Sequence, residues 1–442
     1  MKKFTIQGGK SLVGTIKISG SKNVATKAVI AACLTDESVT LKNVPEISDI
    51  HELLTVIESI GGNVQRREHE VTITVKEILN PTISLAEGAL VRTSSMFIAP
   101  LLLRCRRAQI PNPAGCRLGA RPIDRHIEGL EKMGTKIEYK SEDGYYYAST
   151  EGLTGATYRF EKNSHTGTET LILAATLAQG VTRIENAAQE HEIDDLISLL
   201  NSMGAKIRRE EDRVIIIEGV EKLYGTEYEI VPDSNELVTF AVLSMLTGGN
   251  IWLENTQLGN VQIFLDQVKK IGASFEEKDG LVRFYSEVAL GASSITTDVE
   301  PGFKTDWQGV WAILMTQATG ESIIHETIYE NRFGYVSELK KMGAKIEFFN
   351  PEVANPESVY NFNYDWQTPY KQAIKIVGPT HLHNAILNIS DLRAGATLVI
   401  AALIASGETV IFGIEHLDRG YEDFANRLQA LGAQVIEGEE RG

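Results

Sequence analysis

The fold of this chain can be recognised from one segment, Ile193-Asp-Asp-Leu196-Ile-Ser-Leu199-Leu200-Asn-Ser-Met203-Gly204-Ala205. The motif at its end, Met203-Gly204-Ala205, recurs along the sequence. An apolar residue, a glycine and a small or polar residue precede a strand-like run at Ile60-Gly61-Gly62, Met133-Gly134-Thr135, Met203-Gly204-Ala205, Ile271-Gly272-Ala273, Met342-Gly343-Ala344 and Leu431-Gly432-Ala433. Successive glycines of this motif are 73, 70, 68, 71 and 89 residues apart. A period of about 70 residues indicates one supersecondary unit copied six times.

Each copy of the unit contains two kinds of helix. The first is apolar on all sides, and its copies are Val24–Leu34, Ser94–Cys105, Glu169–Ala178, Leu237–Leu246, Val310–Ala318 and Ala396–Ala405. The second is amphipathic, as in Ile193–Met203, and ends at the repeated glycine. Between them lies a β-rich run such as Val181–Ile184, and a hairpin such as Lys206–Arg209 with Val214–Glu218 closes the unit. The predicted order is therefore helix, strand, helix, strand, strand.

Glycines also follow the apolar helix in four copies, at Gly180, Gly248, Gly320 and Gly407. A glycine just beyond a helix commonly adopts the left-handed backbone conformation of a C-cap. We therefore expect these four glycines to cap the apolar helices.

Composition describes a large globular chain. Its 442 residues favour two or three domains, and its 43% hydrophobic and 23% charged residues can form a sizeable core. No apolar run is long enough to span a bilayer, and the N-terminus alternates like a strand rather than a secretory signal. Cys33, Cys105 and Cys116 do not form a disulfide framework. These features predict a cytoplasmic protein.

The charge pattern narrows the class of ligand. A net charge of −16 argues against general binding to nucleic acid or to anionic membranes. Against that background, loop-like segments hold the cations Lys22, Arg92, Arg117, Arg121, Arg125, Arg332, Arg393 and Arg419. Several stand beside an aspartate, and an oriented guanidinium suits phosphate or carboxylate. Either these are ordinary solvated loop residues or the substrate is a small polyanion.

Cys116 differs from the other two cysteines because it lies in a loop rich in proline and glycine. Arg117 and Arg121 stand nearby, and neighbouring cations favour the reactive thiolate. The alternative is a stray exposed cysteine. No histidine has the spacing of a cysteine-protease dyad, and His381 and His383 lack a third metal ligand. The sequence therefore predicts neither a metal nor a cofactor.

Several segments, spread over nearly the whole chain, resemble motifs of the enolpyruvyl transferase family in the same order. They are Ile18–Asn23, Cys116–Asp124, Lys304–Asp306, Glu330–Phe333, Asp391–Ala394 and Asp418–Glu422. The resemblance implies an α/β fold, a two-domain inside-out α/β barrel built from six βαβαββ repeats. Residues 21–229, with the cysteine loop, would form one domain, and residues 1–20 with 230–442 the other. The active site would lie in the cleft between them, with the loop as a lid.

The resemblance is strongest to the branch of the family that acts on UDP-N-acetylglucosamine. It implies transfer of the enolpyruvyl group of phosphoenolpyruvate to the sugar 3-hydroxyl, with release of phosphate, as the first committed step of peptidoglycan synthesis. No metal is needed, because general acid–base groups and fixed cations suffice for this chemistry. Oligomeric state is not indicated by the sequence.

The resemblance also implies roles for individual residues. Lys22, Arg121 and Arg419 would hold phosphoenolpyruvate, with Arg92 nearby. Cys116 would form an adduct with phosphoenolpyruvate and assist product release. Fosfomycin, an epoxide that mimics phosphoenolpyruvate, would alkylate it. Asp306 would take the proton of the acceptor hydroxyl. The implied catalytic residues are thus Cys116, Asp306, Lys22 and Arg419. The further substrate-binding positions are Asn23, Pro122, Ile123, Asp124, Arg125, Lys162, Ser164, Ile328, Arg332, Asp391, Leu392 and Arg393.

The chain departs from the family pattern mainly on the nucleotide side. His165 and Thr166 replace a small apolar residue and a glycine; the other replacements are Arg125 for leucine, His191 for proline and Ser234 for arginine. The segment before Asp391 is also about twenty residues longer than usual, with aromatic residues at Tyr360–Tyr370. Three functions remain open: a UDP-N-acetylglucosamine transferase, an enolpyruvyl transferase with another nucleotide or sugar acceptor, and a catalytically quiet binding paralogue. The intact Lys22, Cys116, Asp306 and Arg419 argue against the last.

Overall fold

The computed structural model describes residues 2–113, 118–119 and 122–439. Cys116 and Arg121, both expected in the site, lie outside the described residues, as does the lid expected of their loop. Within the described ranges, none of the helices has the length and apolar character required to cross a membrane.

Short strands and helices alternate along the chain. The strands are β1 (Lys2–Gln7), β2 (Val13–Lys17), β3 (Val39–Lys42), β4 (Asn63–Arg67), β5 (Glu70–Thr74), β6 (Arg107–Pro111), β7 (Thr135–Lys140), β8 (Tyr145–Thr150), β9 (Thr157–Arg159), β10 (Val181–Glu185), β11 (Lys206–Glu211), β12 (Val214–Glu218), β13 (Thr226–Glu229), β14 (Asn250–Glu254), β15 (Ser274–Lys278), β16 (Leu281–Tyr285), β17 (Ile295–Thr296), β18 (Gly320–His325), β19 (Lys345–Phe349), β20 (Ala373–Gly378), β21 (Ile386–Asn388), β22 (Glu408–Phe412) and β23 (Gln434–Glu439). The helices are α1 (Lys22–Ala31), α2 (Ser48–Ser59), α3 (Leu85–Leu90), α4 (Ile98–Cys105), α5 (Asp124–Lys132), α6 (His165–Ala175), α7 (His191–Ser202), α8 (Ser234–Thr247), α9 (Gln262–Lys270), α10 (Gln308–Thr316), α11 (Val336–Lys341), α12 (Pro356–Val359), α13 (Leu392–Ile404) and α14 (Phe424–Ala430). Short 3-10 helices add Ala32–Leu34, Arg92–Phe97, Leu258–Val261, Thr305–Trp307 and Ile414–His416.

The described residues divide into two compact units. The N-terminal unit contains residues 20–113 and 122–231, and the C-terminal unit contains residues 2–19, 118–119 and 232–439. Each unit has its own hydrophobic core. In the C-terminal unit the helices α8, α10 and α13 contact one another. The apolar helices are buried on nearly every side, because they lack the polar face that a surface helix needs.

The strands of the described residues form six small sheets, three in each unit. The N-terminal unit has the strand orders β13-β3-β5-β4, β11-β12-β10-β9 and β6-β8-β7, and the C-terminal unit has β15-β16-β14-β2, β17-β18-β20-β19 and β21-β22-β1-β23. Each four-stranded sheet contains one parallel pair, such as β9 with β10, and the closing hairpin pairs antiparallel. Strands β9, β17 and β21 are the short parallel strands that precede the first helix of their own repeats, and there they complete the βαβαββ order. The predicted α/β fold is confirmed.

Strands from distant parts of the sequence complete several sheets. At the start of the chain, β1 lies between β22 and β23, and β2 pairs parallel with β14. Near residue 228, β13 pairs parallel with β3, so that Tyr228 lies opposite Leu41. Apart from residues 118–119, which belong to the C-terminal unit, the described chain changes unit between Ser19 and Gly20 and between Val231 and Pro232.

The six repeated glycines end the amphipathic helices as predicted. Gly61, Gly134, Gly204, Gly272, Gly343 and Gly432 all have positive φ angles, between 84° and 106°. The Gly204 amide donates to the carbonyl of Asn201 at 3.0 Å, and the Ala205 amide donates to the carbonyl of Leu200 at 3.0 Å. These are the two hydrogen bonds of a Schellman motif, which needs a left-handed residue and so favours glycine.

The prediction for the other glycines is wrong in three of four cases. Gly248 caps α8 with φ 59°. However, α6, α10 and α13 end earlier, with the cap residues Thr176, Gln317 and Ala405. Gly180, Gly320 and Gly407 instead stand where the backbone turns into the next strand, with φ of 97°, 119° and 90°. The sequence reveals the need for a left-handed residue but not which turn requires it.

The long segment between β19 and β20 forms an aromatic cluster. Tyr360 stacks on Phe362 and Tyr364 at centroid distances of 5.2 and 5.4 Å. The amide of Asn361 donates to the carbonyl of Thr327 at 2.8 Å. This hydrogen bond connects the insertion to the chain beside Ile328, one of the expected substrate-binding residues.

Candidate functional site

Expected site residues recur at one position of the repeat, the start of the buried helix. In the N-terminal unit Lys22 begins α1, Arg92 begins the 3-10 helix before α4, and Ser164 caps α6. In the C-terminal unit Asp306 lies in the 3-10 helix before α10, and Asp391 caps α13. Helix N-termini present unpaired amide groups and a partial positive charge, which favour anions.

A cluster of two arginines and two aspartates forms in the C-terminal unit. Asp306 accepts hydrogen bonds from Nη2 of Arg332 and, at 3.2 Å, from Nη2 of Arg393. Nη1 of Arg332 is 3.7 Å from Oδ1 of Asp391. The side chains of Arg332 and Arg393 are 4% and 11% exposed, whereas that of Asp306 is 29% exposed. Two buried guanidinium groups therefore hold a carboxylate that solvent can reach.

Neighbouring groups keep both arginines charged. Burial alone would lower the pKa of Arg332, but the carboxylates of Asp306, Asp391 and Glu326 outweigh it and raise that pKa. The pKa of Arg393 is raised in the same way, mainly by Asp306 against its own burial. Nη1 of Arg393 also donates to the hydroxyl of Tyr421 at 3.3 Å. These contacts fix the direction in which the Asp306 carboxylate points.

The Asp391 carboxylate organises the start of α13. Its Oδ1 accepts from the amides of Arg393 and Ala394, both at 3.1 Å, as an N-cap does. The same aspartate therefore caps the helix that carries Arg393 and lies beside Arg332. Asp306, Arg332, Asp391 and Arg393 are the expected site residues that the structure brings into one network.

In the N-terminal unit the ammonium group of Lys22 lies 2.7 Å from Oδ2 of Asp49. Asp49 belongs to the first turn of α2 and its side chain is 6% exposed. Sequence reasoning did not single out Asp49, because an aspartate near a helix start is common and nothing local reveals its partner. Likewise, nothing in the segment Asp418–Glu422 reveals that the hydroxyl of Tyr421 would contact Arg393.

The departures His165 and Thr166 lie in the first turn of α6. Nε2 of His165 is 3.2 Å from Oε1 of Glu169, and the other oxygen of Glu169 is 3.3 Å from Nζ of Lys27 on α1. Nε2 of His126 on α5 is within hydrogen-bond distance of Oγ1 of Thr166, at 3.0 Å. The side chain of Glu169 is fully buried. These residues therefore join the start of α6 to α1 and α5.

The remaining expected residues differ in how far they are exposed to solvent. Pro122 and Asp124 are exposed and Ile123 is buried where α5 begins; Asn23, Arg125, Lys162, Ile328, Leu392 and Arg419 are half-buried. Among the described residues, no group of three or more histidine, cysteine, aspartate or glutamate side chains could hold a metal ion.

The His165 contacts predict a specific pH dependence of stability. Burial alone would lower the pKa of His165, but Glu169 and Glu190 outweigh both burial and the nearby Lys27 and raise it from 6.5 to about 9. The stabilisation from the charged imidazole is therefore complete below about pH 6.5 and is lost as the pH rises through about 9. We expect the melting temperature of wild type to fall by a few degrees over this range.

His165→Val is the matched variant, because it restores a small apolar residue and leaves the Lys27–Glu169 pair. Its melting temperature should change less than that of wild type between pH 6.5 and 9.5. Parallel curves for the two proteins would contradict the assignment of a charged His165.

Known proteins that this chain resembles along almost its whole length are described as carboxyvinyltransferases. The family model described as EPSP synthase (3-phosphoshikimate 1-carboxyvinyltransferase) matches residues 6–428. A UDP-N-acetylglucosamine 1-carboxyvinyltransferase of Koribacter versatilis is 39% identical over 439 residues, covering 98% of this chain and 96% of that protein. The protein of the same name from Magnetococcus marinus is 40% identical over 440 residues, covering 98% and 99%.

Solved structures show the same fold. The enolpyruvyl transferase NikO from Streptomyces tendae superposes with a TM-score of 0.85 at 21% identity, covering 99% of both chains. An EPSP synthase from Acinetobacter baumannii gives a TM-score of 0.72 at 17% identity, covering 99% of this chain and 100% of the other.

Proposed function

Since this chain belongs to the EPSP synthase family of enolpyruvyl transferases, we propose that it transfers the enolpyruvyl group of phosphoenolpyruvate to the 3-hydroxyl of UDP-N-acetylglucosamine. One observation carries the choice of acceptor. The curated relatives named above are 39% and 40% identical along almost the whole chain, and their names state this acceptor. This reaction would supply peptidoglycan synthesis, and we propose that the protein acts in the cytoplasm.

The reaction proceeds by addition and elimination. The acceptor hydroxyl loses its proton and its oxygen bonds to C2 of phosphoenolpyruvate, while C3 gains a proton to become a methyl group. The methyl group of this tetrahedral adduct then loses a proton, and the bond from C2 to the phosphate oxygen breaks. The products are the enol ether of the sugar nucleotide and inorganic phosphate, so protons and electrons balance.

Asp306 is the proposed base for the acceptor hydroxyl. Its carboxylate is the most exposed side chain of its cluster, and hydrogen bonds from Arg332 and Arg393 orient it. A general base must be held within hydrogen-bond reach of its proton, and fixed orientation is what such contacts supply. Lys22, Arg92, Arg121 and Arg419 would neutralise the phosphate and carboxylate of phosphoenolpyruvate, and Cys116 would react with it.

Phosphate release tests this proposal directly. The protein is incubated with phosphoenolpyruvate and, in separate reactions, with UDP-N-acetylglucosamine, UDP-glucose, UDP-N-acetylgalactosamine and shikimate 3-phosphate. We expect kcat/KM to be highest with UDP-N-acetylglucosamine, by at least about 10²-fold over shikimate 3-phosphate, since a site built to hydrogen-bond one acceptor rejects another that leaves its polar groups unpaired.

Two outcomes would change the proposal. A higher kcat/KM with another sugar nucleotide would retain the reaction and replace the acceptor, in line with the departures at His165, Thr166 and Ser234. Absence of phosphate release with every acceptor would refute the enzyme activity and favour a binding paralogue.

A further inference from the structure

Glu326 is a buried carboxylate to which the proposed reaction assigns no role. It follows β18 directly and is 0% exposed. Burial raises its pKa, and the positive charge of Arg332 opposes that shift. Because burying a carboxylate is costly unless its oxygens are hydrogen-bonded, the partners of Glu326 show what the position contributes.

Its first oxygen binds the turn that contains Ile328, one of the expected substrate-binding residues. Oε1 accepts from the amide of Ile328 at 2.8 Å and from the amide of Tyr329 at 3.0 Å. These two hydrogen bonds fold residues 326–329 into a turn around the carboxylate. Ile328 is half-buried and is the expected substrate contact of this turn.

Its second oxygen binds the turn that carries the proposed base. Oε2 accepts from the hydroxyl of Thr305 at 2.9 Å and lies 3.4 Å from Nε2 of Gln308. Thr305 precedes Asp306 in the same 3-10 helix. The carbonyl of Thr305 also accepts from Nε of Arg332 at 3.5 Å, and the same arginine binds Asp306.

One carboxylate therefore contacts both turns, one with each oxygen. We propose that Glu326 is a positioning residue that fixes the Asp306 turn relative to the Ile328 turn, so that the base faces the acceptor hydroxyl. This inference rests on the proposed function. Glu326 does not touch substrate in this account; it acts through Thr305 and the backbone of Ile328.

The proximity argument sets the expected size of the effect. A displacement of a reacting group by about 1 Å can cost up to 10²-fold in rate. We expect Glu326→Gln and Thr305→Val each to lower kcat by about 10-fold, because each removes an acceptor or donor between Glu326 and the base turn. Thr305→Ser keeps the hydroxyl and should therefore retain most of the wild-type kcat.

The readouts separate positioning from folding. All rates are expressed per folded molecule after thermal melting of the same samples. Glu338→Gln is the matched control, because Glu338 is 8% exposed, lies in the same unit and accepts from the amide of Asn388 at 2.9 Å. It should lower the melting temperature and leave kcat unchanged.

A double-mutant cycle tests the route of the effect. If Glu326 acts through Asp306, Glu326→Gln should have almost no effect on kcat in an Asp306→Ala background, since coupled residues are not additive. Full additivity would overturn the inference, as would unchanged kcat in Glu326→Gln and Thr305→Val with an active wild type. An inactive wild type would overturn the proposed function itself, and this inference with it.

Discussion

Asp306→Ala is expected to lower turnover by about 10²-fold or more, while the affinity for UDP-N-acetylglucosamine changes little. The reason is that the variant removes the group proposed to take the hydroxyl proton. Proton transfer lowers the energy of the transition state and does not strengthen substrate binding. Turnover is measured as phosphate release at saturating substrates, and affinity by calorimetry.

The structure requires a stability control for this variant. Arg332 and Arg393 are both buried against Asp306, so Asp306→Ala also removes a partner from two buried cations. A loss of folded protein is therefore expected in addition to the loss of rate. Asp306→Asn is the better test, because the amide oxygen still accepts a hydrogen bond and the side chain keeps its shape but is no longer basic.

If Asp306 is the base, Asp306→Asn should be as slow as Asp306→Ala per folded molecule. If Asp306 only pairs with its arginines, both variants should melt earlier and turn over at a rate close to that of wild type. Measuring melting and turnover on one sample decides between these outcomes.

Fosfomycin is expected to abolish activity by forming a single adduct on Cys116. We expect the other two cysteines to be unreactive, because the thiolate is the nucleophile and burial disfavours the thiolate form. Cys33 is fully buried, and burial raises the pKa of its thiol to about 12. Burial also raises the pKa of the Cys105 thiol above its ordinary value. By sequence, Cys116 has Arg117 and Arg121 nearby, which favour the thiolate.

Peptide mass spectrometry after treatment locates the adduct. Cys116→Asp is the matched variant, and it should keep activity and remain unlabelled. An adduct on Cys33 or Cys105, or full activity after treatment of wild type, would show that Cys116 is not the reactive residue proposed here.

The sequence could predict those features that depend on neighbours along the chain. The Schellman glycine needs only the residues of its own turn, so Gly204 and its five counterparts were identifiable by their spacing. The burial of the all-apolar helices was predictable as well, because the lack of a polar face is visible in the sequence of the helix itself. The strands β9, β17 and β21 were missed because two or three residues are too few to show a periodicity. Gly180 was misplaced because a glycine alone does not reveal which turn it serves.

The partners of the site residues were decided only by the tertiary structure. Asp306 and Arg393 are 87 residues apart, and Lys22 and Asp49 lie on different helices, yet both pairs meet at hydrogen-bond distance. The sequence by itself determined the sixfold repeat and the α/β class, because local sterics and hydrophobic periodicity encode helices, strands and turns. It also placed charged and polar residues where the buried helices begin. Which carboxylate faces which cation, and which strands complete each sheet, depended on packing between distant segments, and no local pattern encodes that.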